Sequence, residues 1–140
     1  MKILCIDDDG NCRVAGSRCL TVRCGHETQT AADGPEGLRK AAEFGPDLII
    51  LDLRMPGMDG FEVLERLAGD PRTRAIPVVI LTGAFLEDAE KARLEENSNF
   101  LILEQKPVEF GPLMERVQAR LPSFGREPAA GTQDGSFAEA

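Results

Sequence analysis

Short apolar runs recur along the chain, and each is followed by a stretch whose apolar residues return at helical spacing. ILCI (Ile3 to Ile6), LIIL (Leu48 to Leu51), VVIL (Val78 to Leu81) and FLIL (Phe100 to Leu103) contain no polar residue. Unbroken runs of this kind mark strands buried on both faces, whereas a strand with one wet face alternates. The pattern predicts strands over Lys2–Ile6, Asp47–Leu51, Pro77–Leu81 and Phe100–Leu103. A weak polar strand over Glu27–Ala31 suits a sheet edge. Helices are predicted over Asn11–Cys24, closed by Gly25 in the position that favours a left-handed residue, and from Asp33 to the Gly45-Pro46 break. Asp33 with Glu36 forms a capping pattern there, and Pro35 suits the first turn. Three further helices follow over Gly60–Ala68, Glu87–Glu96 and Glu109–Leu121. The fourth of the five is strongly charged, with Ala89, Ala92 and Leu94 its only apolar residues.

Five strands alternating with five helices make βαβ units, hence an α/β fold with a parallel sheet covered on both faces. Right-handed crossovers leave a doubly wound three-layer sandwich as the expected architecture. No internal repeat is present. From Pro122 the periodicity stops and Pro, Gly, Ala, Ser and isolated charges take over. The sequence therefore divides into a globular domain over 1–121 and a disordered tail or linker stub over 122–140.

Composition narrows the class. At 140 residues, 42% hydrophobic and 29% charged, the chain suits one soluble domain. A net charge of −8 opposes binding to nucleic acid, which needs a positive surface to displace counterions, and opposes docking on anionic membranes. The apolar run at the N-terminus is too short for a signal peptide, and none is long enough to span a bilayer. A cytoplasmic protein is expected. The four cysteines, Cys5, Cys12, Cys19 and Cys24, show no close Cys-x2-Cys pair for zinc. Cys12, Ala15, Cys19 and Val22 instead predict one apolar stripe of small residues on the first helix.

The candidate chemistry lies where the strands end. In an open parallel sheet the ligand crevice sits beyond the carboxyl ends of the strands. The first strand delivers Asp7 and Asp8, with Asp9 just beyond. The third delivers Asp52, a charge ending a buried strand, the fourth Thr82 and the fifth Lys106. Three close carboxylates repel one another and take up protons unless a cation joins them. Oxygen ligands without thiol or imidazole suit Mg²⁺. A metal, a free carboxylate, a hydroxyl and an ammonium together are equipment for phosphoryl transfer, with a carboxylate as nucleophile. The Gly-Met-Asp-Gly turn after Asp52 would let its backbone approach the metal.

Asp7-Asp8, Asp52 followed by MPGMDG, Thr82 and Lys106-Pro107, each at the end of its own strand, together resemble the receiver domain of two-component response regulators. The resemblance covers Lys2 to about Leu121. It implies a flavodoxin-like sheet of order 2-1-3-4-5 and a non-enzymatic signalling module that assists its own phosphoryl transfer and slow aspartyl-phosphate hydrolysis. Asp52 would be the phosphoacceptor. Asp7, Asp8, Asp52 and the backbone carbonyl of Arg54 would hold Mg²⁺, and Thr82 and Lys106 would contact the phosphoryl oxygens. The Lys106–Pro107 bond would be cis. The implied partners are a sensor histidine kinase or phosphotransfer protein and a downstream protein reached through the face of the fourth helix, fifth strand and fifth helix. A phosphorylation-dependent homodimer is a further implied partner.

The chain departs from the family where the signal leaves. The switch position three residues before the lysine, usually Tyr or Phe, is Leu103. The nearest aromatic, Phe100, is expected on the opposite face of a regular strand. Asn97-Ser98-Asn99 replaces the usual Gly-Ala before the fifth strand. Other chemistries fit less well. A haloacid-dehalogenase-like phosphatase needs an acid where Arg54 stands, a flavin carrier would place its phosphate on the acidic DDDGNC loop, and a P-loop lacks its Gly-Lys-Ser/Thr. A receiver-like scaffold that binds partners without a full phosphorylation switch is the alternative.

Overall fold

The computed structural model describes residues 1–125. Five strands, β1 (Lys2–Ile6), β2 (Glu27–Ala31), β3 (Leu48–Asp52), β4 (Val78–Thr82) and β5 (Phe100–Gln105), alternate with helices α1 (Gly10–Arg18), α2 (Gly34–Phe44), α3 (Gly60–Gly69), α4 (Asp88–Glu95) and α5 (Phe110–Arg120). All strand pairs are parallel and the order is β2-β1-β3-β4-β5. This is the doubly wound sandwich that the alternation implied.

Two apolar clusters lie on the two sheet faces. Leu4, Ile6, Ile49, Leu51, Val78 and Ile80 face α2, α3 and α4. Ile3, Cys5, Leu48, Ile50, Val79 and Leu81 face α1 and α5. β3 and β4 are buried along their whole length, so their unbroken apolar runs follow from having two covered faces. Each fully buried Leu or Ile contributes roughly 1.5–3 kcal/mol.

Two local expectations are corrected. The stripe of Cys12, Ala15, Cys19 and Val22 does not face the sheet: Cys12 and Ala15 are exposed and Val22 is 76% exposed. The first helix stops at Arg18 and continues as a wider π-turn over Cys19–Arg23. Its buried line runs through Gly16 and Leu20. A Cβ on Gly16 would stand 2.8 Å from the Phe110 ring, so the contact needs a residue that carries no apolar signal.

The second correction concerns β5. Val78 pairs with Phe100 but Val79 pairs with Ile102, leaving Leu101 as a bulge. The extra residue inverts the alternation. Leu101 and Ile102 both pack into the α1/α5 cluster, whereas Phe100 and Leu103 both pack against the α2/α3/α4 cluster. Phe100 therefore shares a face with Leu103 rather than opposing it.

α4 buries only Leu94. Polar contacts join it and the turn after it to α3: Arg93 Nη2 lies 2.6 Å from Glu65 Oε2 with its guanidinium 4.5 Å from the Phe61 ring centre, and Asn97 Nδ2 donates to the Leu64 carbonyl at 3.1 Å. Past α5, Leu121–Ser123 forms one 3₁₀ turn and Phe124 packs on the α1/α5 cluster. The remainder of the expected tail, 126–140, lies outside the described residues. Among those described, no helix is long and apolar enough to cross a membrane.

Candidate functional site

The carboxyl ends of β1, β3 and β5 bring four charged side chains together. Asp7 continues β1, its N–H donating to the Ala31 carbonyl at 3.1 Å. Arg13 Nη1 donates to the Asp7 carbonyl at 2.8 Å and so braces the turn. Asp9 is drawn off elsewhere. Its carboxylate accepts from the amides of Asn11 and Cys12 as the N-cap of α1, and those bonds hold its carboxyl below the ordinary value.

Asp52 is the last residue of β3. The next N–H, from Leu53, donates to the Leu81 carbonyl at 3.0 Å, and the Gly60 N–H donates to the Leu53 carbonyl at 2.8 Å. The loop between turns through Gly57 at φ 76°, which glycine adopts without steric cost. A Cβ on Gly60 would stand 2.8 Å from Leu53 Cα and 2.9 Å from the Asp52 carbonyl oxygen. Only glycine lets the start of α3 fold back this closely onto the strand end. Asp59 caps α3 by accepting from the Glu62 amide.

Lys106 arrives from β5, its N–H donating to the Thr82 carbonyl at 2.8 Å. Its Nζ lies 3.2 Å from Asp7 Oδ2 and 3.3 Å from Asp52 Oδ1. The following Lys106–Pro107 peptide is cis. Asp7, Asp8 and Asp52 each offer one oxygen within 4.8 Å of the others. Asp7 and Asp52 are buried and Asp8 is exposed, so the cluster opens to solvent on one side.

Burial pushes the Asp52 carboxyl up to about 6; Lys106 pulls it down, and Asp7 and Asp8 push it further up. Burial favours a neutral Lys106 amine, yet Asp52 and Asp7 hold it above its ordinary value. The result is a charged lysine beside a carboxylate that ionises reluctantly. Three hard oxygen donors, partly buried and short of positive charge, fit a magnesium-sized cation.

Thr82 is buried on the same edge, but its hydroxyl is engaged locally, accepting from the Ala84 N–H at 3.1 Å. The Arg54 side chain turns outward and pairs with Glu90 at 3.1 Å. Leu103 is half-buried against the core. Sequence reasoning missed the Arg13 brace and an apolar cleft of about 410 Å³ beside the site. Cys12, Ala15, Leu81, Pro107, Val108 and Phe110 line that cleft together with Asp7 and Lys106. No spacing signal could reveal it, because its walls come from separate elements.

Comparison with known proteins agrees with this fold. The response regulator receiver domain model matches residues 3–118. The response regulator PleD of Caulobacter vibrioides is 42% identical over 120 residues, covering 84% of this chain and 25% of PleD. The transcriptional regulatory protein AfsQ1 of Streptomyces coelicolor is 37% identical over 136 residues, covering 97% of this chain and 58% of AfsQ1. The chain thus spans only part of the length of these relatives. Among solved structures, the chemotaxis protein CheY4 of Vibrio cholerae superposes with a TM-score of 0.76 at 30% identity, over 85% of this chain and 97% of that one. A parallel sheet of this order, with acids ending its first and third strands and a lysine after its fifth, matched over almost the whole described body, places the chain in the response regulator receiver domain family of two-component signalling.

Proposed function

We propose that Asp52 is the phosphoacceptor of a histidine-to-aspartate relay. The observation that carries this is Lys106 Nζ bridging Asp7 and Asp52 at 3.2 and 3.3 Å inside a cluster of three carboxylates. An Asp52 carboxylate oxygen attacks the phosphorus of a phosphohistidine in line. The new O–P bond forms as the P–N bond breaks, and the imidazole leaves with its electron pair. Lys106 stays charged beside the arriving oxygens, and Thr82 donates to them by turning its hydroxyl hydrogen away from the Ala84 carbonyl. Asp7, Asp8, Asp52 and the Arg54 carbonyl would hold Mg²⁺, which when bound neutralises charge on the transferring group. Arg13 and the α1 cap keep the Asp7-to-Asp9 turn in shape.

The donor would be a sensor histidine kinase or phosphotransfer protein in the cytoplasm. The output would pass to a protein target through the α4-β5-α5 face, with a phosphorylation-dependent homodimer as one form of it. The chain would act as a signalling module that assists its own transfer and slow hydrolysis, not as an enzyme on other substrates. Incubation with Mg²⁺ and acetyl phosphate should add one phosphoryl mass to the intact chain, and Asp52→Asn should abolish it. Undiminished labelling of Asp52→Asn would show that another residue is the acceptor.

A further inference from the structure

Arg54 and Glu90 join the two loops on which the site depends. Arg54 follows Asp52 by two residues, and Glu90 stands in the first turn of α4, the helix reached from Thr82 through the loop over 83–87. Their side chains meet at 3.1 Å. The same Glu90 carboxylate accepts from the Glu87 N–H at 3.1 Å, closing the capping box that starts α4. One carboxylate therefore holds both the beginning of the helix and the loop after Asp52.

The surroundings leave α4 responsive to such a contact. Leu94 is its one buried residue, so little apolar packing fixes its seat. The contact itself is partly open to solvent, with side-chain exposures of 46% and 29%, and an ion pair of that kind is weak enough to be made and broken. Meanwhile Leu103 has no polar group with which to respond to Thr82. It is already packed against the α2/α3/α4 cluster.

We propose that the Arg54–Glu90 ion pair is the relay through which loading of the carboxylate site resets the seat of α4. The relay rests on the phosphoacceptor reading. Drawing the Arg54 carbonyl toward a ligand shifts one end of a 3.1 Å contact, and the helix cap shares the other end. Coupling of this kind needs two sites and an element with two seats that both bias. The two sites are the carboxylate cluster and the capping box, and the relay requires α4 to be the element that takes a second seat.

The test compares amide chemical shifts of the full chain with and without Mg²⁺ plus beryllofluoride, in the unaltered protein and in two variants. Glu90→Gln keeps an oxygen to cap the Glu87 N–H but removes the charge that binds Arg54. Glu65→Ala cuts the Arg93–Glu65 ion pair, which also holds α4 but in which neither residue pairs with Arg54. In the unaltered protein, loading should move residues around Asp52 and Thr82 and those of α4. In Glu90→Gln the shifts at Asp52 and Thr82 should persist while the load-induced shifts of α4 are lost. In Glu65→Ala both sets should remain. An α4 response that survives Glu90→Gln, or one lost equally in Glu65→Ala, overturns the relay while leaving the phosphoacceptor reading intact. Absence of any shift at Asp52 and Thr82 in the unaltered protein overturns that reading, and the relay with it.

Discussion

Asp52 shows how one residue is placed against its own stability. Burial drives its carboxyl up to about 6 from 3.8, so between those values the folded chain holds a proton that the unfolded chain has released. The contribution of Asp52 to stability must then fall as pH rises from about 4 to about 6 and level off above, the reverse of an acid whose carboxyl is held low in the fold. Asp52→Asn removes this penalty. Without divalent metal, the variant should be more stable than the parent at pH 7 by about 1–3 kcal/mol, with the gap closing near pH 4. Urea titrations across that range check it. A constant gap would mean that the charge of Asp52 is not the cause. That a charge ends LIIL is plain in the sequence; that Lys106 reaches Asp7 and Asp52 together is not, since the lysine is far away in the chain.

At the scale of the element, β5 departs furthest from expectation. Its bulge at Leu101 puts Phe100 on the same face as Leu103, a shift that no alternation rule can report because it depends on pairing with β4. The Asn97-Ser98-Asn99 segment has a structural task. Asn99 is fully buried, and its Nδ2 donates to the carbonyls of Thr73 and Ile76 at 2.9 and 2.7 Å, tying the entry of β5 to the entry of β4. With its start pinned and Leu103 already packed inward, β5 has little room to answer events at Asp52. Beryllofluoride and Mg²⁺ should produce small amide shifts over Phe100–Gln105 compared with those around Asp52 and Thr82. Large shifts running along the strand would show that it switches without an aromatic at Leu103.

For the whole molecule, the acidic cluster predicts a stability that depends on metal. Three carboxylate oxygens within 4.8 Å of one another repel until a cation joins them, so binding is linked to folding. At a Mg²⁺ concentration about a hundredfold above Kd, mass action would stabilise the fold by about 2.7 kcal/mol. Thermal melts should rise with Mg²⁺, and rise less in Asp8→Ala, which keeps the buried pair but loses the exposed carboxylate. Equal melting of the parent with and without Mg²⁺ would count against the site.

What the sequence determined by itself was the layered fold and the edge on which the chemistry sits. Unbroken apolar runs read as covered strands, which holds for β3 and β4 and only in part for the edge strand β5, and a parallel sheet sends every strand's last residue to one side. Asp7, Asp8, Asp52, Thr82 and Lys106 were legible for that reason. Tertiary structure alone decided the rest. It turned Cys12, Ala15 and Val22 outward and set Gly16 against the Phe110 ring, inverted β5 with one unpaired residue, and joined Arg54 to Glu90 across two loops. These outcomes depend on which atoms meet across long stretches of chain, and periodicity records only which face a residue occupies within its own element.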